Sequence, residues 1–282
     1  MPDDSRTIQL GNATVTIINV GDLTFKLSEV MNVPESEWRP RYAGEFEKPL
    51  SFPSQSVHIA LPGASVLVDA GDYAVAVALN TPYVPPGYTP PPGLIDQLLE
   101  RGVAPGDITH VVITHLHFDH YSGTTVERDG QYVPAFPHAR YFVGRADWED
   151  PDIQEALKDP DSLESHTLGV LRTAGVLELV EGDVDLLPAV RILAAPGESP
   201  GHQIVRVHSE GQTLYCLGDL YHDPIEIEHP AWMASWANVD MTLASRQRLV
   251  GATLAENALL LPAHMPPGRL KQTAHGIRWT KE

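Results

Sequence analysis

Residues 111–120 read Val111-Val112-Ile113-Thr114-His115-Leu116-His117-Phe118-Asp119-His120, a β-branched run followed by four metal-ligating side chains in six positions. The run has the composition of a buried strand. Side chains alternate along an extended chain, so His115, His117 and Asp119 leave the strand on one side and His120 turns off that line. The segment thus offers two imidazoles to one cation and a carboxylate plus an imidazole to a second. Hydrolytic two-metal sites hold their ions about 3.5–4 Å apart. A histidine-rich surface loop is the competing reading, and the apolar strand directly before the cluster argues against it.

Two ions need further donors, and three places supply them. Pro196-Gly197-Glu198-Ser199-Pro200-Gly201-His202 ends a turn-rich loop on a histidine just before the apolar run 204–207. Leu217-Gly218-Asp219 ends the run 213–217 on a carboxylate, and Leu259 to Leu261 leads into Pro262-Ala263-His264. Each alone is an ordinary loop residue. Their shared position, where an apolar strand meets a loop, is where a scaffold holds polar groups at an open edge.

With Asp69 in Val68-Asp69-Ala70-Gly71, the order Asp69, His115-x-His117-x-Asp119-His120, His202, Asp219, His264 resembles the metallo-β-lactamase superfamily from about residue 55 onward. The resemblance implies an α/β fold, a four-layer αββα sandwich formed as one domain over 1–282. It also implies a first ion held by His115, His117 and His202, a second held by Asp119, His120 and His264, and Asp219 bridging both. The attacking group in that family is a hydroxide between the ions, with Asp119 placed to accept or relay a proton. Asp69 is implied as a residue orienting the cluster; a turn residue before Gly71 is its plainer reading. Imidazole and carboxylate donors suit zinc, the expected ion, and also manganese, iron or cobalt. Some β-lactam-cleaving members use a cysteine ligand. Cys216, within the run 213–217, reads instead as a buried core thiol.

Within the superfamily, Gly218-Asp219-Leu220-Tyr221-His222, the helical run 240–253 with Arg246 and Arg248, and the ending 263–279 resemble the branch containing quorum-quenching lactonases and methyl parathion hydrolase. The best-known lactonases place a tyrosine three residues after the bridging aspartate, against the lactone. Here His222 holds that position and Tyr221 precedes it. A histidine also donates to a developing oxyanion, so Asp119 and His222 are the expected catalytic side chains. The resulting expectation is a dinuclear hydrolase of a neutral ester or lactone of the acyl-homoserine-lactone kind, with phosphotriesterase side activity. Alternatives are a thioesterase resembling hydroxyacylglutathione hydrolase, needing cations such as Lys271 and Arg278, a single-iron oxygenase, and a catalytically silent metal-binding or interaction protein.

Composition narrows the substrate. A formal net charge of -18 repels a polyanion, and no run of Lys or Arg makes a local basic track, which argues against a nuclease. A small neutral or apolar molecule fits better, with neither nucleic acid nor membrane as partner. The single cysteine rules out an internal disulfide. No apolar run approaches the roughly 18 residues of a membrane helix, and Met1-Pro2-Asp3-Asp4 lacks the features of a signal peptide, so cytoplasm is the expected location.

Patterning predicts strands around 8–20, at 57–61 and 65–69 as a hairpin over Pro62-Gly63, and at 108–114, 140–143, 176–180 and 190–194. Helices are predicted at 94–101 and 165–173. Residues 81–93 hold six prolines in thirteen positions and read as a stiff loop, a candidate lid edge. Residues 21–55, with Met31, Trp38 and Tyr42, read as an arm over the site, as an arm on a neighbour that would suit a homodimer, or as a surface loop. Trp232, Met233 and Trp236 are candidates for an apolar substrate wall, with core packing the alternative for each.

Overall fold

Alternation of side chains along the strands sets the layering. Val66, Val68 and Val112 point into one core with Val190, Ile192, Val205, Val207, Leu214, Cys216, Leu259 and Leu261, while the intervening Leu67, Val111 and Ile113 join a second core with Leu94, Leu98 and Leu171. Ile204, Tyr215, Leu217 and Leu260 face a third, with Leu249. Two sheets buried on both faces and flanked by helices follow from this pattern, the helix, sheet, sheet, helix arrangement.

The computed structural model describes residues 6–79, 81–82 and 84–282. The chain start and Tyr83 of the proline-rich loop lie outside them. Among the described residues, one seven-stranded sheet runs Arg6–Leu10, Ala13–Phe25, Leu50–Leu61, Ala64–Val68, His110–Val112, Arg140–Gly144, Leu177–Val180. The other runs Val184–Leu187, Val190–Ala194, Gln203–Ser209, Gln212–Gly218, Leu259–Pro262, Gly268–Thr273, Gly276–Lys281. Ala64–Val68 pairs parallel to His110–Val112, and Gln212–Gly218 parallel to Leu259–Pro262, which brings Asp69, Thr114, Asp219 and Ala263 out at strand ends. Gln203–Ser209 pairs antiparallel to Gln212–Gly218, so His202, at its start, emerges at the same edge. Gln203 ties the sheets together: its N–H donates to Thr114 O at 2.8 Å and its side chain to Ile113 O at 2.8 Å.

Several elements depart from the sequence reading. The strand expected over 108–114 is regular only at His110–Val112, and the helix expected over 165–173 opens with a π-helical turn at Ser165–Gly169 before Val170–Thr173. Residues 21–55 form regular structure, and Leu23, Phe25, Val30 and Phe52 among them stand over the site. Ala13–Phe25 and Leu50–Leu61 stay paired out to Phe25 and Leu50, and the helices Leu27–Val30 and Glu35–Phe46 fill the connection. Trp38 stacks on Phe46 at 4.9 Å, and Trp232 meets Phe46 and Tyr42 edge-on at 5.5 and 5.3 Å, so this segment docks on its own chain. The carboxyl-terminal hairpin, Gly268–Thr273 with Gly276–Lys281, has no counterpart in the sequence reading; its alternating polar positions give little apolar signal. No helix among the described residues is long and apolar enough to cross a membrane.

Candidate metal centre

The site gathers at the edge where the two sheets meet. His115 follows the strand His110–Val112 by way of Thr114, and its Nε2 lies 2.8 Å from His117 Nδ1 and 3.7 Å from Asp219 Oδ2. His120, on the short turn Phe118–Tyr121, places Nε2 3.6 Å from Asp119 Oδ2 and 3.4 Å from Asp219 Oδ1. His264 Nε2 completes this half, 3.5 Å from Asp119 Oδ2 and 3.1 Å from Asp219 Oδ2. Asp219 therefore touches both halves. Gly218 makes that approach feasible: its φ is +52°, and a Cβ there would lie 2.7 Å from both His202 Nε2 and Thr114 Oγ1.

Three of the imidazoles are fixed through the ring nitrogen that faces away from the cluster. His120 Nδ1 lies 3.0 Å from Asp69 Oδ2, His264 Nδ1 2.8 Å from Pro53 O, and His202 Nδ1 3.1 Å from Ala195 O. Asp69 also accepts from Thr114 N–H and Oγ1 at 2.7 and 3.0 Å, which makes it an orienting group rather than a bare turn residue. Ser54 Oγ donates to Asp119 Oδ2 at 2.8 Å and is itself 3.0 Å from Tyr73 Oη.

The arrangement fits divalent cations. His115, His117, Glu198 and Asp219 form one group of converging donor atoms, and Asp119, His120 and His264 a second. Buried His120 Nε2 and Asp219 Oδ1 have no hydrogen-bond partner among the described residues, which an ion between them would answer. Burial opposes charge on His120, yet the charges of Asp119, Asp219 and Asp69 hold it well above the ordinary histidine value. Asp219, equally buried, is held well below the carboxylate range by His264, His120 and His115. The carboxylates demand positive charge, from protons or from metal.

Of the seven ligands expected from sequence, six converge. His202 stands beside them with its ring 5.3 Å from that of His115, but its Nε2 accepts the Asp219 N–H at 3.1 Å instead of joining either group. Glu198 lies where the sequence reading put no donor; a lone carboxylate in a turn-rich loop carries no ligand spacing. His222 is buried with Nε2 3.3 Å from Asp219 Oδ2. Behind it, the fully buried Glu226 accepts the His222 N–H and pairs with Arg246 Nη2 at 2.8 Å. Burial works against His222 carrying charge, but Asp219 and Glu226 raise it well above the ordinary value.

A cavity of about 900 Å³ opens over this floor, lined by apolar side chains such as Phe25, Phe52, Ile153 and Trp236 and by the carboxylates Glu29, Asp147, Asp150, Asp152 and Glu164, with no Lys or Arg among its described lining residues. Of the three predicted wall residues only Trp236 lines it. Trp232 and Met233 are buried, Trp232 packing with Phe46 and Tyr42. No described residue of 81–93 lines the cavity either. Lys271 and Arg278 stand on the carboxyl-terminal hairpin, away from it, and Arg278 pairs with Glu228 at 3.1 Å. Cys216 packs between the sheets, where burial pushes its thiol far above the usual range.

Comparison with known proteins agrees with this architecture. An N-acyl homoserine lactonase of Bacillus cereus is 27% identical over 169 residues, which is 59% of this chain and 60% of the relative. The lactonase AiiA of Bacillus thuringiensis subsp. kurstaki is 26% identical over 174 residues, 61% of each chain. The chain thus spans about three fifths of the length of these curated relatives. Among solved structures, the hydrolase AbOPH superposes with TM-score 0.78 at 16% identity, covering 99% of this chain and 97% of that one. AidC, a dizinc quorum-quenching lactonase in complex with a product, superposes with TM-score 0.77 at 21% identity and the same coverage. A sequence model of the metallo-beta-lactamase superfamily matches residues 52–270, and the chain belongs to that superfamily.

Proposed function

We propose that the protein is a dinuclear metal-dependent hydrolase that opens a neutral ester or lactone bearing an acyl chain, of the acyl-homoserine-lactone kind. The observation that carries this reading is the cavity, whose floor is the His and Asp cluster and whose walls combine apolar side chains with the carboxylates Glu29, Asp147, Asp150, Asp152 and Glu164, with no Lys or Arg among the described residues to receive an anionic substrate. Apolar side chains above converging polar groups suit a ligand with one reactive polar end, and a wall whose charges are all negative favours a neutral one. The matches to N-acyl homoserine lactonases point the same way.

In this reading His115 and His117 would hold one ion, joined by His202 if its Nε2 gives up the Asp219 N–H; Asp119, His120 and His264 would hold the other, and Asp219 would serve both; zinc is the ion of choice for that donor set. Such ions supply Lewis acidity toward a carbonyl or phosphoryl oxygen and lower the pKa of water from 15.7 to about 7. Asp119, steadied by Ser54, holds or passes a proton at Oδ2. His222 presents Nε2 beside Asp219 at the cavity floor, where its N–H can donate to a substrate oxygen as negative charge develops. Glu226 and Arg246 hold the backbone of His222 in place. A neutral phosphotriester presents a similar electrophile, so a side activity on such esters is part of the proposal. The thioesterase alternative is less well supported, because its candidate cations Lys271 and Arg278 do not line the cavity.

The test is lactone opening by the metal-reconstituted protein on a long-chain acyl-homoserine lactone, beside His117→Ala. Rapid opening by the parent and loss in the variant is the expected result. Two bound ions without opening would sink the lactone reading and leave aryl esters, phosphotriesters and thioesters. No bound ion would sink the metal enzyme altogether and favour a silent interaction protein.

A further inference from the structure

The loop 196–202, from which the sequence reading takes a single donor, His202, delivers a second side chain to the cluster. Glu198 is 4% exposed, with Oε1 3.0 Å from His117 Nδ1 and 3.6 Å from His115 Nε2, the two ring atoms that face each other across the first half of the site. Trp236 Nε1 donates to both of its carboxylate oxygens, at 2.8 and 2.9 Å. No Lys or Arg among the described residues is paired with this buried carboxylate. A buried charge without such a partner is costly unless another cation answers it.

The loop is held firmly enough to make that placement a built feature. Gly197 has φ +144°, and a Cβ there would meet Thr242 Oγ1 at 2.4 Å. Ser245 Oγ donates to Pro196 O and the Asn238 N–H to Gly197 O, each at 2.7 Å, and Ser199 Oγ donates to Asp147 Oδ2 at 2.7 Å. Helix Val239–Glu256 and its N-cap therefore fix the residues before Glu198, and Asp147 fixes the one after it. His202 meanwhile spends its Nε2 on the Asp219 N–H.

We propose that Glu198 is a direct carboxylate ligand of the ion held by His115 and His117, clamped in its coordinating position by Trp236. This rests on the reading of the cluster as a two-ion site and adds a hard oxygen donor to a half expected to offer three imidazoles. Such a donor moves the site toward ions that accept mixed nitrogen and oxygen coordination.

Cobalt(II) titration of the metal-stripped full chain, read by visible absorption and by competition with a chelator, tests the assignment. The parent is expected to take up two ions. Glu198→Gln keeps the side-chain size and an acceptor for Trp236, and is expected to bind one ion unchanged and the other more than about 100-fold more weakly, beyond the 10–100-fold cost of losing a hydrogen-bonding partner of a ligand. Its absorption should change as an anionic donor leaves. Trp236→Phe keeps the carboxylate and should keep the parent spectrum with about a tenfold loss. Parent-like affinities and spectrum in Glu198→Gln would overturn the proposal, as would a loss within 10–100-fold at unchanged spectrum, which would make Glu198 a positioning group for His117. A parent that binds two ions in those cases leaves the proposed function standing; a parent that binds none removes both.

Discussion

His115, His120, His202, Asp219 and His264 stand beside core strands and are nearly or fully buried, whereas the cavity walls above them come from strand extensions and loops and include Phe25 at 38% and Trp236 at 52% exposure. The floor borrows its rigidity from the two sheets. A strand end held between parallel neighbours leaves little freedom for the residue that follows it, so imidazoles and carboxylates converge without a dedicated scaffold of their own. The segment that carries His222 and leads on to the wall residue Trp236 has a separate anchor in Arg246: its guanidinium donates to Leu220 O, Pro230 O and Trp232 O at 2.9, 2.9 and 2.7 Å and pairs with Glu226. Chemistry and specificity therefore rest on different parts of the molecule, and substitutions should separate them.

The largest effect is expected at Asp219, the one side chain that reaches both halves of the floor. Asp219→Asn keeps the shape and removes the charge. Under the proposed function it should lower metal content and cut turnover by about 10³-fold, since ion-based charge stabilisation is worth several kcal/mol and each 1.36 kcal/mol is tenfold. Full metal content with near-parent turnover, measured on the same preparation, would break the idea of a shared floor.

Next comes Arg246, the anchor of the segment that leads to Trp236. Arg246→Met leaves Glu226 buried without its cationic partner, and removing one member of a buried pair costs about 3–5 kcal/mol. Denaturant unfolding measures that loss. The floor predicts something further: the variant, where folded, should bind as many ions as the parent, because none of the cluster donors hydrogen-bonds to Arg246. A parallel loss of metal would show that wall and floor are one cooperative unit.

The same division decides how much could be read from sequence. The layered fold was legible because strands buried on both faces make continuous apolar runs such as 111–114 and 259–261, and because each run ends on a chemically distinctive residue. The convergence of His115, His117, Asp119, His120, Asp219 and His264 at one edge followed from that. Glu198 escaped notice because its position depends on tertiary clamps, Trp236 and the start of Val239–Glu256, that no local pattern announces. The wall segment 21–55 was ambiguous for a related reason. Its apolar residues, Trp38 and Phe46 among them, pack against Trp232 far along the chain, and Pro40 interrupts the helical period that would have marked Glu35–Phe46. Among three neighbouring candidates, Trp232, Met233 and Trp236, composition could not tell core from lining, and only one lines the cavity.

The smallest effect tests the wall as a substrate contact. Ile153, on helix Pro151–Ala156, lines the cavity and packs at the edge of the first-sheet core. Ile153→Ala removes three carbons; with about half of their surface against the substrate the loss is about 1.2 kcal/mol at roughly 0.8 kcal/mol per methylene, or about tenfold in binding. If an acyl chain lies along this wall, kcat/KM should fall about tenfold for a long-chain lactone and hardly at all for a short one, with metal content unchanged. The ratio between the two substrates is the informative quantity, because a loss of packing stability or of metal lowers both alike. An equal fall for both chain lengths would place the acyl group elsewhere in the cavity, and the Leu23, Phe25 and Phe52 side, across the floor and closer to His264, would become the wall to probe.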